Sequence, residues 1–310
     1  MIRNLWRTSR PLTAIGLVML VVLVPFAVGL FLDPRLITGV PAWLKPAKFA
    51  VSTAIYSLTL AWVFRALPAW PRMRAIVGWT TALVFAIEVA IIAGQAWRGT
   101  TSHFNVSTLL DGVLFGVMGM LIIVQTIASV AVAVALWRER GFADQAMGWA
   151  MRIGMTLTIV GAATGGLMTR PTTTQLDQAR TTHVMTVSGA HTVGAPDGGS
   201  GLPGTGWSRE HGDLRVPHFV GLHALQAQPL LVVALRRRQW PEALRVRAAV
   251  VAGAAYAGLF VTLLAQALRG QSILQPDAVT LAMLGTVIAA SAAAWMAAAG
   301  RRPLAVPAVL

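Results

Sequence analysis

Long apolar runs alternate with short polar connectors along most of this chain. Eight runs come close to or exceed the roughly 20 residues that an α-helix needs to cross ~30 Å of hydrocarbon. They cover approximately 11–32, 47–66, 75–97, 107–137, 147–168, 214–236, 247–268 and 278–299. The pattern predicts an all-α, polytopic transmembrane helix bundle forming a single domain over residues 1–310. The fourth run exceeds a perpendicular span, so it is expected to tilt or to extend past the bilayer. The alanine-rich last run is the weakest hydrophobically. A basic opening precedes 11–32, but no small-residue cleavage site stands out, so that run reads as an uncleaved first helix.

One connector is different. Residues 169–212 are polar and turn-rich, with Gly194, Gly198, Gly199, Gly201, Gly204 and Gly206 interleaved with Pro196 and Pro203. A plain linker would be monotonous in Ser and Gly. This one also carries His183, His191, Trp207, Glu210 and His211, and is expected to form an ordered cap.

Basic residues suggest an orientation. With the N-terminus in the cytoplasm, sixteen Arg fall on inner segments, Arg301 and Arg302 among them, and nine Lys or Arg fall outside. Positive charge favours the cytoplasmic side. Eight spans then leave both termini in the cytoplasm and place the long loop outside. Trp6, Trp43, Trp70, Trp97, Trp137, Trp149, Trp207 and Trp240 fall at or just beyond span ends, at the headgroup level that indole prefers.

Composition agrees. Hydrophobic residues make up 56% of the chain and charged residues 12%, against the ~25% charged of a soluble domain. The lipid bilayer is therefore the first partner. The net charge of +14 would suggest nucleic acid in a soluble protein. Here the arginines sit in connectors, where they set topology and meet anionic headgroups, and no nucleic-acid module is present. The absence of cysteine excludes disulfides, iron–sulfur clusters, thiolate zinc sites and covalent c-type haem.

Candidate chemistry gathers on the outer side. All six histidines, His103, His183, His191, His211, His218 and His223, map there. The turn 95–105 holds Gln95, Arg98, Ser102, His103 and Asn105, with Asn105 or Ser107 as the expected cap of the fourth helix. In the sixth span Asp213 is the expected N-cap and Pro217 falls in the first turn. On one continuous helix His218 and His223 would lie about 140° apart, too far round to chelate one metal alone, with Gln226 between them in angle. Glu88 and Asp111 are acids inside spans. Intramembrane acids cost roughly 2.5–3.5 kcal/mol or more unless paired, and default to a functional hypothesis. Gln95 shares a stripe with Glu88, and Gln125 shares a face with Asp111. The bland alternative is a buried pair with Arg98, Arg152 or a histidine. Lys45 and Lys48 either snorkel to the interface or place charge over an outer pocket. Met147, Met151 and Met155 read as core packing, and Gly161 with Gly165 as a close helix contact.

Three readings follow. In the first, His103, His191, His211, His218 and His223 supply ligands to haem, zinc or copper, with Glu88 and Asp111 as catalytic acids or proton carriers. Gln95, Arg98, Asn105 and Gln226 would then contact the cofactor. Gly154, Gly161, Gly165 and Gly166 would open a gap for it, and a quinone or another membrane protein would be the redox partner. In the second, the same residues line a proton or cation path. In the third, the polar residues only satisfy helix ends.

The blocks 43–49, 98–105 and 197–226 resemble a family of uncharacterised multi-span bacterial membrane proteins. The resemblance covers most of the chain and implies a bacterial inner-membrane location but no activity.

Overall fold

The computed structural model describes residues 1–300, so Arg301 and Arg302 lie outside the described residues. Twelve α-helices occur among these residues. The first six are α1 (Ile2–Thr8), α2 (Arg10–Leu32), α3 (Leu44–Val63), α4 (Pro71–Trp97), α5 (Leu109–Arg138) and α6 (Gln145–Ala163). The remainder are α7 (Gly165–Met168), α8 (Thr173–Thr182), α9 (Arg215–Leu222), α10 (Ala224–Arg237), α11 (Glu242–Leu268) and α12 (Ala278–Ala299). Seven helical segments are long and apolar enough to cross a membrane, and α9 with α10 makes an eighth if the bent pair is one span. The protein is an integral membrane protein with an all-helical bundle. Its outer surface is apolar where lipid would lie: Val21, Val24, Ile127, Ile288 and Met296 are all exposed.

Three local expectations are corrected. The cap of α5 is neither Asn105 nor Ser107. It is Thr108, whose Oγ1 accepts from the Asp111 N–H, while Asn105 binds Ser107 one step earlier. Asp213 does not cap α9 from the N-cap position, which Leu214 occupies. Its carboxylate instead receives the N–H groups of Ser208 and Arg215.

The sixth span is not continuous either. The chain bends by 47° at His223. The cause is a side chain inserted into the hydrogen-bond ladder. Thr158 of α6 donates its hydroxyl to Leu222 O and accepts from Leu225 N–H, both at 3.2 Å. Tyr256 of α11 donates to Val220 O at 2.6 Å. These bonds satisfy backbone groups that an unbroken helix would pair internally.

Glycine closes the seam beside the break. A Cβ at Gly161 would sit 2.5 Å from Gly221 Cα, and one at Gly154 would sit 2.9 Å from Ala224 O. The main chains of α6, α9 and α10 therefore touch. At Gly154 and Gly161 the gap expected for a haem is closed by backbone, while Gly165 meets only the His218 ring and Gly166 borders open space.

The tightest core lies at the pole away from the long loop. Leu12, Leu60, Phe64, Val132, Leu136, Met155 and Leu225 pack there, with Met151 buried and Met147 against them, as the methionine stripe predicts. Arg152 lies over Trp137, Phe142 and Trp149 and donates to Leu136 O and Glu139 O, so its charge serves this pole rather than the buried acids.

Residues 169–212 fold over the opposite pole. Two small ribbons form there: β1 (Leu36–Ile37) pairs with β2 (Val40–Pro41), and β3 (Thr192–Val193) pairs with β4 (Gly212–Asp213). Backbone bonds from Val106 to Thr186, Ser188 to Phe104, Ala190 to Met168 and Leu214 to His191 stitch the segment down. Gly189 is required in this stitching. Its φ is +113°, and a Cβ would collide with Met168 O.

Candidate ligand-binding site

Beneath this cap lies a cavity of about 1840 Å³. Helices α3, α5, α6, α9 and α10 form its walls and the segment 169–212 its roof. Its upper part is basic. Lys45 and Lys48 project from the first turns of α3, and Arg215 from the start of α9. The α3 N-terminus lacks a side-chain cap and adds partial positive charge, whereas the first N–H of α9, at Arg215, is taken by the Asp213 carboxylate. Arg215 is neutralised by Asp213, with contacts of 2.6 and 2.9 Å. Lys48 Nζ donates to Thr205 O at 2.8 Å. Lys45 makes no hydrogen bond or ion pair among the described residues; its ammonium stands 6.0 Å from the Phe49 ring, within electrostatic reach of Arg215, Lys48, Asp197 and Glu88.

Three imidazoles line the same space, each anchored through Nδ1. His191 donates from Nδ1 to Asp197 Oδ2 at 2.7 Å. His218 donates from Nδ1 to Gly161 O at 2.8 Å, with Thr164 Oγ1 at 3.2 Å. His103 Nδ1 lies 3.2 Å from Ser102 Oγ. No Nε2 of the three has a protein partner among the described residues. Phe104 separates two of the rings, 4.8 Å from His191 and 6.2 Å from His103.

Burial, with the positive charge of Lys45 and the neighbouring imidazoles, holds His103 well below its ordinary value of 6.5. Burial also lowers His191, against the pull of Asp197. Burial alone would raise Asp197. The His191 ring and the N–H groups of His191 and Thr192 outweigh it and hold the carboxyl below its ordinary 3.8. The resulting pair is a neutral imidazole oriented by an ionised carboxylate, the arrangement of a general base.

Aromatic and aliphatic groups form the middle of the cavity, among them Phe49, Phe115 and Met118. The floor is polar. Tyr56 Oη and Ser129 Oγ lie 2.9 Å apart, and Gln125 Nε2 reaches both at 3.5 Å. Gln125 is only 7% exposed, and its Oε1 has no hydrogen-bond partner. Gln226 donates to Thr59 at 3.4 Å and leaves its own Oε1 unpaired.

The predicted residues therefore divide into two sets. The cavity gathers His103, His191, His211, His218, His223 and Gln226. His183 is exposed at the end of α8. Glu88, Gln95, Arg98, Asn105 and Asp111 do not line the cavity. Four of these belong to a closed knot where α4 meets α5. Asp111 accepts from Gln95 Nε2 at 2.9 Å, Arg98 Nη1 at 2.7 Å and Thr108 Oγ1 at 2.6 Å. Arg98 also donates to Gln95 Oε1, and Asn105 ties Thr100 to Ser107 alongside. Glu88 stands apart, 2% exposed, with neither carboxyl oxygen hydrogen-bonded to the protein.

Sequence reasoning missed Asp197, Tyr56 and Ser129. Asp197 carried a faint signal as the lone acid inside the Gly/Pro run 194–206. Ser129 falls four residues after Gln125, a polar pair on one face of an apolar helix. Among the described residues, no group of three or more His, Asp or Glu side chains is placed to hold one metal ion. The histidines surround the cavity rather than converge on a point.

The chain matches no protein-family model, no curated protein and no solved structure.

Proposed function

We propose that this membrane protein binds a small anionic, oxygen-rich group in the cavity beneath residues 169–212 and offers it acid–base chemistry. The observation that carries this reading is Lys45, a cation in a partly enclosed cavity without a carboxylate partner. Ammonium groups are normally paired or hydrated, and one held over a cavity beside a second lysine and the uncapped N-terminus of α3 favours an anion there. With Nδ1 donating, His191 and His218 present Nε2 as an acceptor for a hydroxyl of the ligand, and His191 with Asp197 has the geometry to accept a proton from a bound hydroxyl or water. The scattered histidines and the filled glycine seam give no support to the haem, zinc or copper reading. Below Ser129 the bundle is closed by buried apolar side chains, which gives no support to a through-path.

In this reading the cavity opens on the extracytoplasmic side of a bacterial inner membrane, with the N-terminus in the cytoplasm. The Arg distribution and the resemblance of the blocks 43–49, 98–105 and 197–226 support that placement. Eight spans, with α9 and α10 counted as one, would return the C-terminus to the cytoplasm. A quinone or a protein partner has no specific support from the cavity's charge.

Hexyl phosphate, a water-soluble anion with a short chain, is a suitable probe. Titrated against purified protein in detergent, it is expected to bind the wild type and to bind Lys45→Met at least ten-fold more weakly, with the affinity falling as salt rises. Equal binding by the two proteins, or none by the wild type, would remove the reading.

A further inference from the structure

The cavity is not sealed on all sides. Helices α5 and α6 run antiparallel, and among the described residues the side-chain hydrogen bonds between them lie in the half away from the cap. There, Trp137 Nε1 donates to Thr156 Oγ1 at 3.1 Å, and Arg152 Nε donates to Leu136 O at 2.9 Å. The residue on α5 that shares the Trp137 face in the capped half is Gly119, eighteen residues or about five turns away. Gly116 lies one turn further on. A methyl group built at either glycine would meet no neighbouring atom within 4 Å, and the same holds at Gly166, just beyond α6. The face that is bonded below is therefore open above.

The opening leads into the cavity. Gly116, Gly119, Ile123 and Thr126 of α5 and Ile159 and Ala162 of α6 all line it. Ile123 is 56% exposed, so this stretch of the cavity wall is not covered by a neighbouring helix. On the cavity floor, about 200° round α5 from Ile123 and beside Tyr56 and Ser129, stands Gln125, buried and with its Oε1 unpaired. A polar acceptor at this depth, in a membrane span, is costly unless a ligand group such as a hydroxyl donates to it. Elsewhere α6 uses glycine for the opposite purpose, at Gly154 and Gly161, where no space remains.

We propose that the α5–α6 cleft is a lateral portal and that the cavity's ligand is a membrane lipid. Its anionic headgroup sits among Lys45, Lys48 and the imidazoles. Its acyl chain leaves between Gly116 and Gly119 on α5 and Ala162 and Gly166 on the opposite side. The ligand thus arrives from the bilayer and never needs to cross the cap. This rests on the anion-binding reading of the cavity and adds the route and the chain.

The test uses two probes on the whole protein. Dioleoyl phosphatidylglycerol, delivered from vesicles mixed with phosphatidylcholine, reports on the portal, and native mass spectrometry counts the lipid retained. Hexyl phosphate, whose chain is short enough to stay within the cavity, reports on the headgroup site alone. The substitution is Gly119→Phe, which fills the cleft from a position with room for it. The wild type is expected to retain phosphatidylglycerol, and Gly119→Phe to retain at least ten-fold less while binding hexyl phosphate within two-fold of the wild type. Gly116→Phe replaces it where Gly119→Phe fails to fold. Undiminished lipid retention by the filled variant would overturn the portal. So would a wild type that binds hexyl phosphate but no long-chain lipid. A wild type that binds neither overturns the cavity reading itself.

Discussion

Two clusters of polar residues sit at the same pole of this bundle, joined by a few residues of chain, and they have opposite characters. In the knot around Asp111 each carboxylate oxygen is hydrogen-bonded and the nearest cation is already engaged. In the cavity, Lys45 has no anion, three imidazoles leave Nε2 unpaired, and two glutamine oxygens on the floor have no donor. Both clusters are built from residue types that are rare inside membrane spans, so rarity alone separates neither. What separates them is satisfaction. A polar group whose partners are all supplied by its own chain holds helices together, and one whose partners are missing is placed for something that comes from outside.

This contrast sets the order of expected effects. Asp111→Ala strips the acceptor from Gln95, Arg98 and Thr108 at once. At about 1 kcal/mol for each hydrogen bond lost, it should destabilise the fold by about 3 kcal/mol, the largest effect here, as a lowered unfolding temperature. Lys45→Met, in contrast, should leave that temperature unchanged, because no protein contact is lost. If Asp111→Ala unfolds no earlier than Lys45→Met, the division between closed and open clusters is wrong. The glycines give a second version. Gly161→Ala forces a methyl into touching backbones and should cost about 1–3 kcal/mol, while Gly119→Ala enters empty space and should cost little or nothing. Thermal unfolding of the pair, side by side, checks this.

The smallest effect is on pH. His103 and His191 have lowered values in the folded state, so the unfolded chain binds more protons below about pH 6.5. Stability is present in full above that value and is lost as pH falls through it. Asp197, also lowered, adds a loss that begins nearer pH 4. Acidification from pH 7.5 to 5 should therefore loosen the cap before the core. Faster hydrogen exchange at 186–193, with the α3–α6 core unchanged, is the expected signature. A flat pH response in this segment would mean that the imidazoles are not buried as described.

That the chain is a set of long apolar helices was legible in the sequence because a bilayer demands continuous apolar length; seven qualify outright, and the eighth depends on counting the bent pair α9 and α10 as one. The break at His223 was not legible, because its cause is a hydroxyl on another helix. Nothing near 214–236 signals that Thr158 will insert there. The same distance defeated the angular argument for His218 and His223, which assumed an unbroken helix. Five of the six histidines expected on one side of the bundle line one cavity. Their common role was harder to read, since whether imidazoles converge on a metal or spread around a space depends on rotations that spacing does not encode. The pairing of Asp111 with Arg98 was among the alternatives the sequence offered, thirteen residues apart across a tight turn, and the two meet at 2.7 Å. Lys45 gave little warning, because a lysine at a helix end looks the same whether it reaches water or a cavity.

The Thr158 bridge also has a mechanical meaning. Helix α9 is only eight residues long, yet it carries Arg215 and His218 at its capped end and meets α6 and α11 at its other end. Its first turn is tied to the roof through Asp213, and His218, Val220 and Leu222 are bonded to α6 and α11, so the roof is coupled to two spans by side-chain hydrogen bonds rather than by the continuous backbone of a straight helix.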